Sequence, residues 1–353
     1  LLAEDEKKDL LRFVTAGSVD DGKSTLIGQL LVESQGVYED QLEAVRMASG
    51  RRAAVHQDLD LSLITDGLKA EREQGITIDV AYRYFSTPRR KFIIADTPGH
   101  EQYTRNMATG ASNADLAVIL IDARHGVLTQ SKRHSFITAL LGIPHVVVTI
   151  NKMDLVDYSE DVFRGIVSDY RDFAARLDLP DVTFIPISAL RGDNISSRSE
   201  HMDWYDGPTL LGHLETVHIA SDRNLIDMRF PVQYVTRMPD GRRGYMGTPV
   251  SGIVRAGEEV QLAPAGTRSR ISSLLGVDGP VQEGFPPVPI TVVLEDEIDV
   301  SRGDVLVPVQ NVPHVDRGFE AMVVWMSADP MQLGRRYTIK HGCRNVPGLV
   351  SHV

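Results

Sequence analysis

The stretch Gly17-Ser18-Val19-Asp20-Asp21-Gly22-Lys23-Ser24 decides the fold of the first half of this 353-residue chain. It matches the pattern G-x-x-x-x-G-K-[ST], follows the apolar run Leu10–Ala16 and opens a helical stretch, Lys23–Val32. A strand, a glycine-rich loop and a helix in this order are the context of a phosphate-binding loop. The glycines let backbone N–H groups converge on phosphate oxygens, and the helix N-terminus adds partial positive charge. The chance alternative, an ordinary glycine-rich turn, does not explain this context.

The side chains of this loop carry separate expectations. We expect Lys23 to reach the β- and γ-phosphates of a nucleotide and the Ser24 hydroxyl to bind Mg²⁺. Phosphate contacts are predicted for the whole loop and for the next residue, in the order Gly17, Ser18, Val19, Asp20, Asp21, Gly22, Lys23, Ser24 and Thr25.

Further along the first 220 residues, apolar runs alternate with helical periodicity. The runs are Phe92–Ala95, Leu116–Ile121, His145–Ile150 and Phe184–Ile187, and they are typical of buried parallel strands. Between them, Val162, Ile166, Val167, Tyr170, Phe173 and Leu177 share one face at helical spacing. The pattern predicts an α/β domain over residues 1–221, with a doubly wound, mostly parallel sheet. The polar stretch 36–75 interrupts it and is typical of a functional or disordered loop.

The rest of the chain has short alternating runs, many Val, Pro and Gly residues, and turn signals such as Asp240-Gly241 and Asp278-Gly279. These features predict a β-barrel over residues 222–315. Residues 316–353 are predicted to form the start of a second β-barrel. We expect this barrel to be incomplete here and the natural protein to continue beyond it.

A second motif, Asp96-Thr97-Pro98-Gly99-His100, follows the strand Phe92–Ala95. Beside a phosphate loop, an Asp at this position is typically a holder of Mg²⁺ through water, whereas alone it would be more typical of a cap or a turn. Gly99 can donate its backbone N–H to a γ-phosphate, and His100 can then orient an attacking water molecule.

Two further motifs predict the base that is bound. In Asn151-Lys152-Met153-Asp154, the Asp154 carboxylate can accept hydrogen bonds from N1–H and the exocyclic amine of guanine, which adenine does not offer. The Lys152 stem would pack on the base, and Asn151 would connect the base pocket to the phosphate loop. In Ser188-Ala189-Leu190, the Ala189 N–H is expected to donate to guanine O6. The only support for this is the position of the tripeptide after a strand. Taken alone, the tetrapeptide would more typically be an exposed polar turn; its place after the other two motifs favours the base-binding role.

The string Gly75-Ile76-Thr77-Ile78 closes the long polar stretch. Thr77 is a candidate second Mg²⁺ ligand that is seated only when the γ-phosphate is present, as in the order–disorder switch of GTPases. A β-branched residue entering a strand explains Thr77 equally well.

The composition indicates which partners and which cellular location to expect. The formal net charge of −11 is a poor match for non-specific nucleic-acid or anionic-membrane binding, so neither is expected as a partner. One cysteine, Cys343, is compatible with a reducing compartment, and no apolar run is long enough for a membrane helix. The predicted location is the cytoplasm.

Together these motifs resemble the translation-factor superfamily of GTPases, and most of all the large GTP-binding subunits of bacterial heterodimeric sulfate adenylyltransferase. The strings that carry the resemblance lie at 17–28, 70–112, 133–145, 188–194, 198–200, 204–211, 220–224, 229–235 and 294–304. They spread over nearly the whole chain. The phosphate loop departs from the elongation factor Tu pattern, because Asp21 stands in place of a His and Ser24 in place of a Thr.

The resemblance implies a coupled enzyme. GTP hydrolysis on this chain would drive a partner subunit, similar to ATP pyrophosphatases, to join sulfate to the AMP of ATP with release of pyrophosphate. It implies GTP or GDP with Mg²⁺ as ligands, Lys23 and His100 as catalytic residues, and Val19 as an apolar gate beside His100. An adenylyl-sulfate kinase domain is fused at the C-terminus of some members. Two alternatives stay open, a translation factor that binds tRNA and the ribosome, and a free-standing regulatory GTPase.

Overall fold

The computed structural model describes residues 8–34, 79–177, 179, 181–219, 224–327 and 329–353. The chain divides into two compact units, Leu1–Val217 and His218–Val353. None of the helices in the described ranges is long and apolar enough to cross a membrane.

The first unit is built on a six-stranded sheet with the order β2-β3-β1-β4-β5-β6. Its strands are β1 Asp9–Ala16, β2 Ala81–Ser86, β3 Arg90–Asp96, β4 Leu116–Asp122, β5 His145–Asn151 and β6 Asp181–Pro186. All neighbours are parallel except β2, which pairs antiparallel with β3. The predicted α/β phosphate-loop fold with a mostly parallel sheet is therefore confirmed.

The described part of this unit has five α-helices. They are α1 Lys23–Glu33, α2 Thr104–Ala111, α3 Thr129–Leu140, α4 Glu160–Ala174 and α5 Leu210–Thr216, and 3₁₀ turns occupy Glu101–Tyr103 and Met153–Val156. Helix α4 shows how the sequence sets an element. Ser159 accepts a hydrogen bond from the Val162 N–H at 3.4 Å and caps the helix, and acidic residues fill its first turn. Its buried residues belong to the predicted apolar face, but Leu177 lies beyond the end of the helix.

The strand register places polar residues side by side where the parallel strands end. Strand β4 is buried over its whole length, and β1 and β5 are buried over most of theirs. Thr15 at the end of β1 pairs with Asp96 at the end of β3, and Asp122 at the end of β4 pairs with Asn151 at the end of β5. Ligands bind at this carboxyl edge in open α/β sheets.

The second unit holds a β-barrel. Its strands are β7 Phe230–Pro231, β8 Tyr234–Arg237, β9 Arg243–Gly247, β10 Val254–Arg255, β11 Glu259–Ala263, β12 Arg268–Gly276, β13 Gly279–Val281, β14 Glu283–Gly284, β15 Ile290–Leu294 and β16 Val305–Pro308. The main sheet runs β7-β16-β11-β12-β15-β9-β8, with β13 on β12, while β10 and β14 form a separate pair.

The chain itself joins the two ends of this main sheet. Only Val232 and Gln233 separate β7 from β8, and both continue the ladders. The Val232 N–H donates to the Asp304 carbonyl at 2.8 Å, and the Gln233 N–H donates to the Met246 carbonyl at 2.9 Å. The sheet thus closes around a core that includes Phe230, Tyr245, Ile271 and Val292, and closure removes the exposed edges of an open sheet.

After β16 the chain forms a two-stranded hairpin, β17 Arg336–His341 and β18 Arg344–Leu349. Several large apolar side chains between β16 and this hairpin are exposed. Met322, Trp325 and Met326 have 78%, 40% and 38% of their surface accessible.

Candidate nucleotide-binding site

The phosphate loop connects β1 to α1, and two of its glycines are required by space or backbone. Gly22 has φ of 92°, and a Cβ there would lie 2.5 Å from the Asn151 amide nitrogen. A Cβ on Gly17 would lie 2.9 Å from the Leu120 carbonyl oxygen. Larger residues at either position would push the loop away from the ends of β4 and β5.

Lys23 is buried beneath this loop. Its ammonium group donates to the Gly17 carbonyl at 3.0 Å and to the Ser18 carbonyl at 2.7 Å. Burial lowers the pKa of Lys23, while the charges of Asp21, Asp96 and Asp20 act in the opposite direction. A buried cation on neutral carbonyls is incompletely compensated, which is the electrostatic condition of an anion-binding site.

The Asp21 side chain makes a contact within the loop that the motif does not predict. Its side chain is only 3% exposed, and one carboxylate oxygen accepts the Ser18 N–H at 2.5 Å. Burial raises the pKa of Asp21, against the opposing charge of Lys23 and the Ser18 hydrogen bond. The loop thus contains an acidic group inside it as well as the expected backbone donors.

Ser24 and Asp96 offer hard oxygen donors on neighbouring elements. Ser24 lies half-buried in the first turn of α1, and Thr25 follows it. Asp96 is buried at the end of β3 and accepts a hydrogen bond from the Thr15 hydroxyl at 3.3 Å. A hydroxyl, a carboxylate and phosphate oxygens with water fit the preference of Mg²⁺ for oxygen ligands. The predicted third ligand, Thr77, lies outside the described residues, as does the stretch 36–75.

Gly99 brings the second motif against the phosphate loop. A Cβ at Gly99 would overlap the Lys23 ammonium and would lie 2.8 Å from the Gly17 carbonyl oxygen. His100, the next residue, is half-buried, and its Nδ1 accepts the Gln102 N–H at 3.3 Å. Val19 is exposed on the loop. The structure therefore places the loop and the strand-end motif in direct contact, with His100 immediately beyond it.

Asn151 joins the phosphate loop to the loop Ser188–Leu190, which is predicted to contact the base. Its amide nitrogen donates to the Asp21 carbonyl at 2.7 Å, and its amide oxygen accepts the Ala189 N–H at 2.9 Å. The side chain is 2% exposed. One buried amide thus holds the phosphate loop and the loop Ser188–Leu190 at fixed distances from each other.

The orientation of Asp154 is set by a neighbour in the next motif. The Ser188 hydroxyl donates to the Asp154 carboxylate at 2.7 Å, and it also accepts the Arg191 N–H at 3.3 Å. Ser188 and Ala189 are buried, whereas 46% of the Leu190 surface is exposed. Asp154 itself lies half-buried in the 3₁₀ turn Met153–Val156.

Asp122 lies among the predicted site residues, and the sequence motifs do not include it. It is 2% exposed, and its carboxylate lies 3.0 Å from the Lys152 ammonium, which also donates to the Asp20 carbonyl. Arg124 binds the same carboxylate through its side chain at 2.6 and 3.0 Å and its N–H at 2.9 Å. Burial alone would raise the pKa of Asp122, but the hydrogen bonds from Arg124 and Lys152 hold it well below its usual range. Its signal was an Asp directly after the run Leu116–Ile121, the same pattern as Asp96.

Comparisons with known proteins identify the family of the chain. Residues 8–230 match the family of the elongation factor Tu GTP binding domain. The chain is 61% identical over 351 residues to the bifunctional enzyme CysN/CysC of Rhodopirellula baltica, covering 99% of this chain and 54% of that protein. It is 59% identical over 339 residues to sulfate adenylyltransferase subunit 1 of Bacteroides fragilis, covering 96% of this chain and 71% of that protein.

Solved structures share the fold at low identity. The GTPase-like domain of Saccharomyces cerevisiae Ski7, bound to GTP, superposes with a TM-score of 0.54 at 17% identity, covering 99% of this chain and 86% of that one. The chain spans about half of the length of the bifunctional relative and about three quarters or less of the subunit 1 relatives.

Proposed function

Because the chain belongs to the elongation factor Tu-type GTP-binding family and, within it, to sulfate adenylyltransferase subunit 1, we propose that GTP hydrolysis here drives sulfate activation. The reaction on a partner subunit would convert ATP and sulfate to adenylyl sulfate and pyrophosphate. The observation that carries the nucleotide part is the Asn151 bridge, which connects a phosphate loop to a base-recognition motif. The reaction itself is supported by the 59% identity to a subunit of that enzyme.

We propose guanine as the base. The Ser188 hydroxyl holds one oxygen of Asp154, and the carboxylate can accept from N1–H and the exocyclic amine of guanine. Adenine presents an acceptor at N1, so the carboxylate would repel it. The Lys152 stem would pack on the base, the Ala189 N–H would face O6, and Leu190 would border the pocket.

The phosphates would lie over the loop from Gly17 to Thr25, with the Gly99 N–H on the γ-phosphate. Ser24 and, in the closed state, Thr77 would hold Mg²⁺ directly, and Asp96 would hold it through water. When bound, Mg²⁺ would supply positive charge that offsets the charge on the phosphate oxygens. Lys23 already lies inside the loop and would neutralise the transferred phosphoryl group.

For hydrolysis we propose that His100 positions the attacking water, with Val19 as an apolar gate. The His100 imidazole accepts the Gln102 N–H at 3.3 Å. We propose that it turns toward the γ-phosphate only in the partner-bound state, so that the isolated subunit hydrolyses GTP slowly. Replacement of His100 by Ala should then abolish most hydrolysis in the full complex. Turnover at the wild-type rate in that variant would exclude this role.

The partners follow from the same family. We propose a small catalytic subunit similar to ATP pyrophosphatases, since the relatives are named as subunit 1 of their enzyme. The name of the bifunctional relative supports a second activity in the longer proteins of the family. We propose that an adenylyl-sulfate kinase domain carries this activity. The lone cysteine supports a reducing compartment, and we propose the cytoplasm. The elongation-factor alternative shares the fold but is less supported, because the named relatives at high identity belong to sulfate adenylyltransferase.

Phosphate release from GTP tests the proposal. The full-length protein and its small subunit would be assayed with ATP and sulfate together, with each alone, and with neither. Acceleration only when all components are present supports coupling. GTP binding without any such acceleration refutes the coupling, and acceleration by ribosomes with charged tRNA would support the elongation-factor alternative.

A further inference from the structure

We propose that Asp21 lowers the affinity of the phosphate loop for GTP and GDP and speeds their release, because its side chain fixes a negative charge inside the loop. The inference rests on the proposed guanine-nucleotide site and adds a determinant of how long a nucleotide stays there.

The position of the carboxylate is the first observation. Asp21 is buried, and its Oδ2 accepts the Ser18 N–H at 2.5 Å, so the carboxylate lies across the loop rather than in solvent. A Cβ built on Gly17 would lie 3.0 Å from the same oxygen. The Asp21 carboxylate is therefore enclosed within the loop, beside Gly17 and Ser18.

The second observation is the balance of charge around it. The Lys23 ammonium is buried in the same loop, with Gly17 and Ser18 carbonyls as hydrogen-bond partners. Asp21 is the acidic group with the largest electrostatic effect on Lys23, ahead of Asp96. The lysine that would neutralise phosphate is thus already balanced in part by a carboxylate of the loop.

Bound nucleotide adds negative charge to this small volume. Charges that are shielded from water interact strongly over several ångströms, so phosphate oxygens and the Asp21 carboxylate should repel each other through the thin loop. The repulsion grows with the charge on the ligand and should be larger for GTP than for GDP. A site of this kind would exchange nucleotides readily.

The backbone of Asp21 has a different function from its side chain. Its carbonyl accepts the Asn151 amide at 2.7 Å, a contact that any residue at this position retains. The variant Asp21→Asn keeps an oxygen that can accept the Ser18 N–H and removes only the charge. It therefore separates the electrostatic effect from a structural one.

The experiment measures release of fluorescently labelled GDP and GTP from the full-length protein at about pH 8. Burial raises the pKa of Asp21 above the ordinary aspartate value, so an alkaline pH favours its charged form. Asp21→Asn should slow release and lower Kd by about tenfold or more, a change of about 1.4 kcal/mol, with the larger effect on GTP. Asp172→Asn, an exposed change of the same charge on α4, is the matched control and should leave both values unchanged.

Release that is unchanged or faster in Asp21→Asn would overturn the inference. If this variant folds poorly, Asp21→Ala removes the same charge and should still bind GTP more tightly relative to GDP than the wild type does; an unchanged ratio also overturns it. The wild-type protein is titrated with ADP as well. Equal affinity for ADP and GDP would refute the proposed function, whereas selective wild-type binding with no effect of Asp21→Asn would refute the inference alone.

Discussion

Replacing Asn151 with Ala is the most direct test of how the site is assembled. This side chain makes two buried hydrogen bonds, to the Asp21 carbonyl at 2.7 Å and from the Ala189 N–H at 2.9 Å. Alanine removes the amide group that pairs with both of them. Because Asp21 and Ala189 are themselves buried, water is not freely available to either group.

The magnitude follows from the groups that lose a partner. A buried donor or acceptor left unsatisfied costs about 1–3 kcal/mol, so the two together correspond to about 2–6 kcal/mol. Part of this free-energy cost lowers the stability of the fold. The rest lowers the affinity for nucleotide, because binding requires both loops to be held in position. With about 2 kcal/mol in the binding step, Kd for GTP and for GDP should rise about thirtyfold.

The assay is a titration of fluorescently labelled GDP, with thermal unfolding of the nucleotide-free protein measured in parallel. Asn113→Ala, an exposed change of the same kind in the same unit, is the control and should leave both measurements unchanged. The preference for guanosine over inosine nucleotides should persist in Asn151→Ala, because Asp154 is intact. A Kd within about threefold of the wild-type value would refute the bridging function of Asn151.

Three further changes probe other parts of the first unit. Asp154→Asn should exchange GTP for xanthosine triphosphate as the preferred ligand, since the amide can donate to the 2-carbonyl of xanthine; retained GTP preference in competition binding would contradict the base assignment. Burial lowers the pKa of His134 from 6.5 to about 3, so the unfolded chain alone binds a proton within this window and stability should fall as the pH drops through it. His134→Gln should lose that part of the acid sensitivity, and identical shifts of the urea midpoint between about pH 7 and pH 5 in both proteins would count against it. The buried Arg90 guanidinium donates to two carbonyls at the end of α5, at 3.0 and 2.8 Å, so Arg90→Met should lower the free energy of unfolding by about 2–4 kcal/mol. Denaturant unfolding checks this against Arg89→Met, whose exposed side chain predicts a change below about 0.5 kcal/mol.

The sequence was sufficient to predict the strands that carry the site. Runs such as Leu116–Ile121 and His145–Ile150 are buried on both faces, so they contain almost no polar residues and stand out from their surroundings. Each one ends within a residue or two of the observed strand. The motifs are likewise local, since a phosphate loop or Asn151-Lys152-Met153-Asp154 lies within one turn between two elements.

The sequence did not predict strand β2 or the place of Asp122 in the site. The reason is the same for both, because contacts with a neighbouring strand determine them and not their own segment of sequence. The edge strand Ala81–Ser86 alternates exposed and partly buried residues and acquires its structure by pairing with β3. Asp122 belongs to the site only because β4 pairs with β5, which places it beside Asn151 and lets Lys152 reach it at 3.0 Å. A pattern within one segment does not contain the identity of the neighbouring strand.

These cross-strand contacts connect the predicted base-binding residues to the phosphate loop. Asn151 is the last residue of β5 and Lys152 follows it. Their side chains donate to backbone carbonyls of the phosphate loop, at Asp21 and Asp20 respectively. The Asp21 backbone thus faces the base side while its carboxylate accepts a hydrogen bond from Ser18 within the loop. We expect a change that moves this residue to alter both halves of the predicted site, and by linkage base binding and phosphate binding should then affect each other to the same extent. We therefore expect nucleotide affinity and release to depend on one connected set of contacts, while the preference for guanine depends on Asp154.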